Sequence, residues 1–211
     1  MNSGGRVRVR RETGWKIERY PQIAMGSKTA VPDLRANLVY SALQVALADG
    51  LDTVTVDSVA AHAGVAPDVV LRSIGDHDGV TLALLDFVLA RTLDAERDIA
   101  TPDSGPRQLG DMVASELEGL RRQAPVVELI FEFHFARRDD LYRGRIREAL
   151  ANYRQSFETA LDGVTLRRGV DATVMSSIVL SFLQGAAVQI IRDPDNFVPG
   201  AAIAEMRAML Q

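Results

Sequence analysis

Four arginines crowd the first residues of the chain, Arg6, Arg8, Arg10 and Arg11, and Arg72 stands by itself near the end of "AAHAGVAPDVVLRSIGDHDG" (residues 60–79). Guanidinium groups are planar, permanently charged forks suited to phosphate oxygens and to the edge of a guanine. Residues 1–31 hold seven Lys or Arg against two acids, whereas residues 32–78 hold seven Asp against only Arg35 and Arg72. The net charge of −4 therefore hides a basic arm followed by an acidic segment. Three histidines, His62, His77 and His134, never fall as a helical pair that would hold a metal, and Asp76-His77-Asp78 is a sequential run whose side chains diverge. With no cysteine there is no disulfide framework or thiolate site, and no nucleophile elbow, phosphate loop or dinucleotide fingerprint occurs. The residues point away from an enzyme and from any cofactor.

The elements that must place these groups are helical. A content of 47% apolar and 25% charged residues suits a globular protein with a core. Leu34, Leu38, Ala42, Val45 and Ala46 form one stripe of a first helix that starts at Pro32-Asp33 and stops at Gly50. Thr55 is placed to cap a short helix through His62 by accepting from the Ser58 N–H, and Gly64 ends it in a tight turn. Pro67 opens another short helix to Ser73, closed by Gly75. Two short helices split by a glycine turn after a longer one make a helix-turn-helix over 34–74.

Beyond it the pattern predicts helices over Val80–Asp98, 108–123, 139–162, 170–191 and 200–210, with 101–108 as a loop and Pro125 restarting the chain. The alternating "IFEFHF" (130–135) taken alone reads as a strand, but no second strand exists to complete its ladder, so it is expected to be helix. The sum is an all-α fold of about nine helices: a flexible basic arm (1–31), a helix-turn-helix domain (32–79) and a larger helical body (80–211). The stretch from Ala172 to Ile191 carries no charge and has the length of a membrane span. Its scattered Ser, Thr and Gln, with no flanking basic cluster, instead suggest a helix packed on its own core and on a partner subunit. A cytoplasmic protein without a cleaved targeting segment is expected.

The run "ADGLDTVTVDSVAAHAGVAPDVVLRSIGDHDG" (48–79) resembles the TetR family of bacterial regulators, with Gly50, Thr55, Val59, Ala60, Ala63, Gly64 and Val65 at the family's structural positions. The resemblance implies a DNA-binding repressor that leaves a palindromic double-stranded operator when a small apolar or amphipathic effector binds. It places DNA contacts at Thr55, Ala66, Pro67, Val69, Arg72, Ser73 and His77, and the charge of the arm adds Arg6, Arg8, Arg10 and Arg11 as candidates to track phosphates or enter a minor groove. It also implies a pocket within 80–170 and a homodimer through 170–211. Phe87, Met112, Leu117, Phe131, Phe135 and Phe182 could wall such a pocket, with His134, Glu132 and Gln184 as its polar points. Ser177, Ser181, Gly185 and Ala186 would let two copies of the uncharged helix approach, beside Val174, Ile178, Phe182 and Val188.

The departures from the family fall on the contacts. Leu71 and His77 stand where a tyrosine and a lysine are common, and Asp68 adds a charge that a phosphate backbone repels. Two accounts follow. Either the basic arm replaces the grip that the head has lost, or the head is retired and a degenerate TetR-like protein acts through ligand or protein contacts.

Overall fold

The computed structural model describes residues 33–93, 107–136, 140–161 and 171–210. The basic arm with Arg6, Arg8, Arg10 and Arg11 lies outside them, as do residues 101–106 of the expected loop 101–108 and the expected end of the helix near Asp98. Within them stand nine α-helices, one short 3-10 turn and no strand. The helices are α1 (Leu34–Asp49), α2 (Val56–Ala63), α3 (Pro67–Ser73), α4 (His77–Leu93), α5 (Arg107–Arg122), α6 (Ala124–Ala136), α7 (Asp140–Leu161), α8 (Ala172–Arg192) and α9 (Pro199–Leu210). The alternating 130–135 is indeed helical, inside α6.

α1 buries Leu38, Val39, Ala42, Leu43, Val45 and Ala46 against α2 and α4. Leu34, expected on the same stripe, is 44% exposed because it occupies the first turn, ahead of the packed part of the helix. α4 carries Val80, Leu84, Leu85, Val88 and Leu89 into the interior and packs on α1, α6 and α7, so one rod is shared by the head and the body. In the body α8 lies against α5, α6 and α7, while α9 covers α5. Phe157 of α7, fully buried, packs there with Val113, Leu117, Val179 and Leu183.

One expected boundary moves. α4 starts at His77 rather than Val80, because the Asp76 carboxylate accepts from the Gly79 N–H at 3.1 Å and caps the helix. Gly79 is thus a first-turn residue and not a break. A Cβ there would lie 2.7 Å from the Ile74 carbonyl oxygen, so the turn between α3 and α4 closes only over a bare Cα. Gly79→Ala is expected to destabilise the protein. Overpacking of this kind costs about 1–3 kcal/mol, against a gain of about 1 kcal/mol in helix propensity. A urea midpoint at or above wild type would show that the Ile74 carbonyl moves aside.

Candidate nucleic-acid interface and helical body

The head is fixed by local hydrogen bonds before any partner is considered. The Thr55 hydroxyl accepts from the Ser58 N–H at 3.1 Å, and the Ser58 hydroxyl accepts in return from the Thr55 N–H at 2.9 Å. This reciprocal box starts α2. Gly64, at φ 70°, ends it in the left-handed conformation and turns the chain into α3. The Ala66 side chain caps nothing, but Pro67 at the first turn presets the helical φ. At the far end of α3 the Arg35 guanidinium, reaching over from α1, donates to the Ser73 carbonyl oxygen at 2.8 Å. A cation on a C-terminal carbonyl satisfies an orphan acceptor and favours the helix dipole. No sequence signal marked Arg35, since its partner is a backbone atom 38 residues away.

α3 buries only Val70. Ala66, Pro67, Asp68, Leu71 and Arg72 are exposed, while Val69, Ser73 and His77 are half-buried. Thr55 is exposed at the start of α2, with its hydroxyl engaged in the capping box. Arg72 is not a lone cation: its Nη1 lies 2.7 Å from Asp68 Oδ2, one helical turn earlier. Asp33, Asp49, Asp52, Asp57, Asp76 and Asp78 are all exposed around this head. The acid excess read from the sequence is therefore an excess at the surface.

The residues expected around a pocket separate into two groups. Met112, Phe182 and Leu117 belong to the packing around Phe157, with Leu117 fully buried and the other two half-buried. Phe87 is half-buried with the Arg91 guanidinium 5.7 Å above its ring. The polar points are corrected outward: Glu132, His134 and Gln184 are exposed, and Phe135 is 70% exposed. Phe131 stacks on Phe135, centroids 6.1 Å apart, with the His134 ring edge-on to Phe135. These three residues sit in the C-terminal half of α6.

The polar pair inside the body is a different one. The Tyr153 hydroxyl, on α7, donates to Glu116 Oε2 of α5 at 2.5 Å. Burial first, and then the carboxylate beside it, push the Tyr153 phenol far above its ordinary value, so it remains a neutral donor. The sequence held a signal for this: Glu116 interrupts the apolar series Met112, Val113, Leu117, Leu120 on one face of α5. Tyr153→Phe is expected to leave the half-buried carboxylate without that donor and to cost about 1.5–3 kcal/mol, read as a lower urea midpoint. The ring's edge contact with Phe157 would survive. An unchanged midpoint would mean that water replaces the phenol fully.

α8 begins at Asp171, whose carboxylate accepts from the Thr173 and Val174 N–H groups at 2.7 and 3.3 Å. It is long and apolar enough to cross a membrane, yet one face, with Ser176, Val179, Leu183, Ala186, Ala187 and Ile190, is buried in the body. The opposite face exposes Val174, Ile178, Ser181, Gln184, Gly185 and Val188. The Ser177 and Ser181 hydroxyls donate to carbonyls one turn back, at 2.9 and 2.8 Å. Ala186, expected on the exposed stripe of small residues, is in the core, and Phe182 packs half-buried on the cluster around Phe157.

No family model matches the sequence, and no curated protein matches it. The fold does match solved structures. A TetR transcription regulator from Haloarcula marismortui has a TM-score of 0.70 at 18% identity, over 83% of this chain and 95% of its own. A transcriptional regulator from Rhodococcus sp. Rha1 gives 0.67 at 20%, over 84% and 95%. The regulator FadR from Bacillus subtilis, in complex with stearoyl-CoA, gives 0.65 at 14%, over 83% and 96%. A capped helix-turn-helix joined by a shared helix to a helical body, matched over 83–84% of this chain, has the fold of these regulators, one of them a TetR transcription regulator.

Proposed function

We propose that this chain is a DNA-binding transcriptional regulator of the TetR type, a cytoplasmic repressor released from its operator by a small apolar or amphipathic ligand. The observation that carries this reading is the head. Its turn is fixed by the Thr55–Ser58 box and Gly64, and α3 is anchored through Val70 and Arg35, so that its exposed residues face outward on a rigid support. A short, well-anchored helix with an exposed face is what a major groove admits. Ala66, Pro67, Val69, Arg72, Ser73 and His77, with Thr55 at the start of α2, would meet a half-site. The division into arm (1–31), head (32–79) and body (80–211) follows from it.

Homodimerisation uses the outer face of α8 with α9. Val174, Ile178, Val188 and Val198 leave apolar area in water, and the serines between them have satisfied hydroxyls that lose nothing on burial. A two-fold dimer would present two heads to a palindromic operator. FadR, bound to stearoyl-CoA, gives the effector class its support. An amphipathic molecule entering among α4, α5, α7 and α8 would meet Met112, Phe182 and the Tyr153–Glu116 pair, with Phe87 and Phe131 nearer the surface. α6 touches α1 and the 3-10 turn as well as α8, which offers a path from body to head. Such coupling is reciprocal: effector and operator must weaken each other by the same factor.

The test is binding of the full chain to the DNA flanking its own gene, followed as salt rises. Saturable binding that weakens steeply with salt supports the regulator. Binding at no salt concentration supports the second reading, a retired head, which the acidic surface favours.

A further inference from the structure

Asp68 was the residue least suited to a reading head, since a carboxylate beside phosphates costs affinity. The structure gives it a partner. Its Oδ2 lies 2.7 Å from Arg72 Nη1, and both side chains are mostly exposed, 59% and 71%. The order Asp then Arg, four residues apart, is the favourable one on a helix, and Asp68 sits in the first turn where the dipole welcomes a negative charge. In water such a pair contributes little to stability. Its effect is geometric: it draws a long side chain back along α3 over the exposed face.

We infer that Asp68 is a positioning residue for base recognition, holding the Arg72 guanidinium by Nη1 so that its Nε–Nη2 edge is presented to O6 and N7 of one guanine in each half-site. This rests on the reading of the chain as a DNA-binding regulator. A guanidinium has five N–H donors in a fixed fork, so one can be held by a carboxylate while another pair reads a base. A free Arg72 among phosphates would be drawn to the nearest backbone oxygen, a contact with no sequence information. Neutralised in charge by Asp68, it has less to gain from the backbone and keeps its fork for the groove. The pair thus trades general attraction for discrimination.

This reverses the expectation from charge alone. If Asp68 only repels phosphates, removing its charge tightens binding to every duplex alike. If it positions Arg72, Asp68→Asn raises affinity for unrelated duplexes while the preference for guanine falls.

The experiment selects a randomised duplex library with the full wild-type chain, then compares the enriched duplex with one in which the guanine pair is replaced. A bidentate arginine–guanine contact makes that ratio about 5- to 100-fold per half-site. Asp68→Asn is expected to reduce the ratio about fivefold or more, Arg72→Lys to abolish it although the charge remains, and Asp68→Glu to retain most of it. Circular dichroism confirms that each variant keeps its helices. A ratio unchanged in Asp68→Asn or in Arg72→Lys overturns the proposal, as does a loss in Asp68→Glu as large as in Asp68→Asn. If the wild-type chain enriches no sequence, the regulator reading itself fails, and the proposal with it.

Discussion

Deleting residues 1–11 is expected to weaken operator binding by orders of magnitude at moderate salt and to flatten its salt dependence. The reason is the balance of charge. Seven aspartates are exposed on or next to the head, and the arginine of α3 is already paired. Attraction to a polyanion must then come from elsewhere, and the first 11 residues carry Arg6, Arg8, Arg10 and Arg11. Each phosphate contact contributes about 0.9 to the slope of log affinity against log salt, so four arginines on each of two subunits correspond to a change of roughly seven if all are engaged. A truncated chain with an unchanged slope would show that these arginines make no phosphate contacts.

Gly185→Arg should convert the protein to a monomer. Gly185 is exposed on α8 between Ile178, Ser181 and Val188, and a Cβ built on it meets nothing within 4 Å. The folded subunit therefore has room for the new side chain, and only a second subunit would not. Two unpaired guanidiniums brought together at an apolar face cost about 3–5 kcal/mol, equivalent to a factor of roughly 10² to 4 × 10³ in the dimer dissociation constant. Light scattering at micromolar concentration reads the mass directly, with helix content by circular dichroism as the control. A dimer mass for this variant would move the interface off α8.

What the sequence made legible was whatever is decided within a turn or two. Gly50, Gly64 and Gly75 have φ of 94°, 70° and 118°, as helix stops at those positions require. Thr55 caps through the atom expected of it, and 130–135 is helix because an unpaired strand has nowhere to place its backbone groups. The shift at the start of α4 was also local: Asp76 caps the helix and Gly79 lies in its first turn, in close approach to the Ile74 carbonyl. Contacts between distant segments were not legible. Arg35 on Ser73 and Tyr153 on Glu116 join residues 38 and 37 apart, and only the finished packing brings them together. The same limit explains the pocket polar points Glu132, His134 and Gln184, since which part of a helix faces the body is decided by packing between distant segments. Asp68–Arg72 is the exception, an i,i+4 pair whose spacing was in plain view while its charge was counted as a defect.

That α3 commits one side chain, Val70, to the interior has a consequence for how such a protein changes over generations. Stability is vested in Val70, in the caps and in Arg35, none of which needs to face a base. The remaining surface of the helix is thermodynamically almost neutral to substitution. A lineage can therefore wander through recognition residues, acidic ones included, without risking the fold, and a new target sequence is reached by drift across a plateau rather than by crossing a valley of unfolded intermediates.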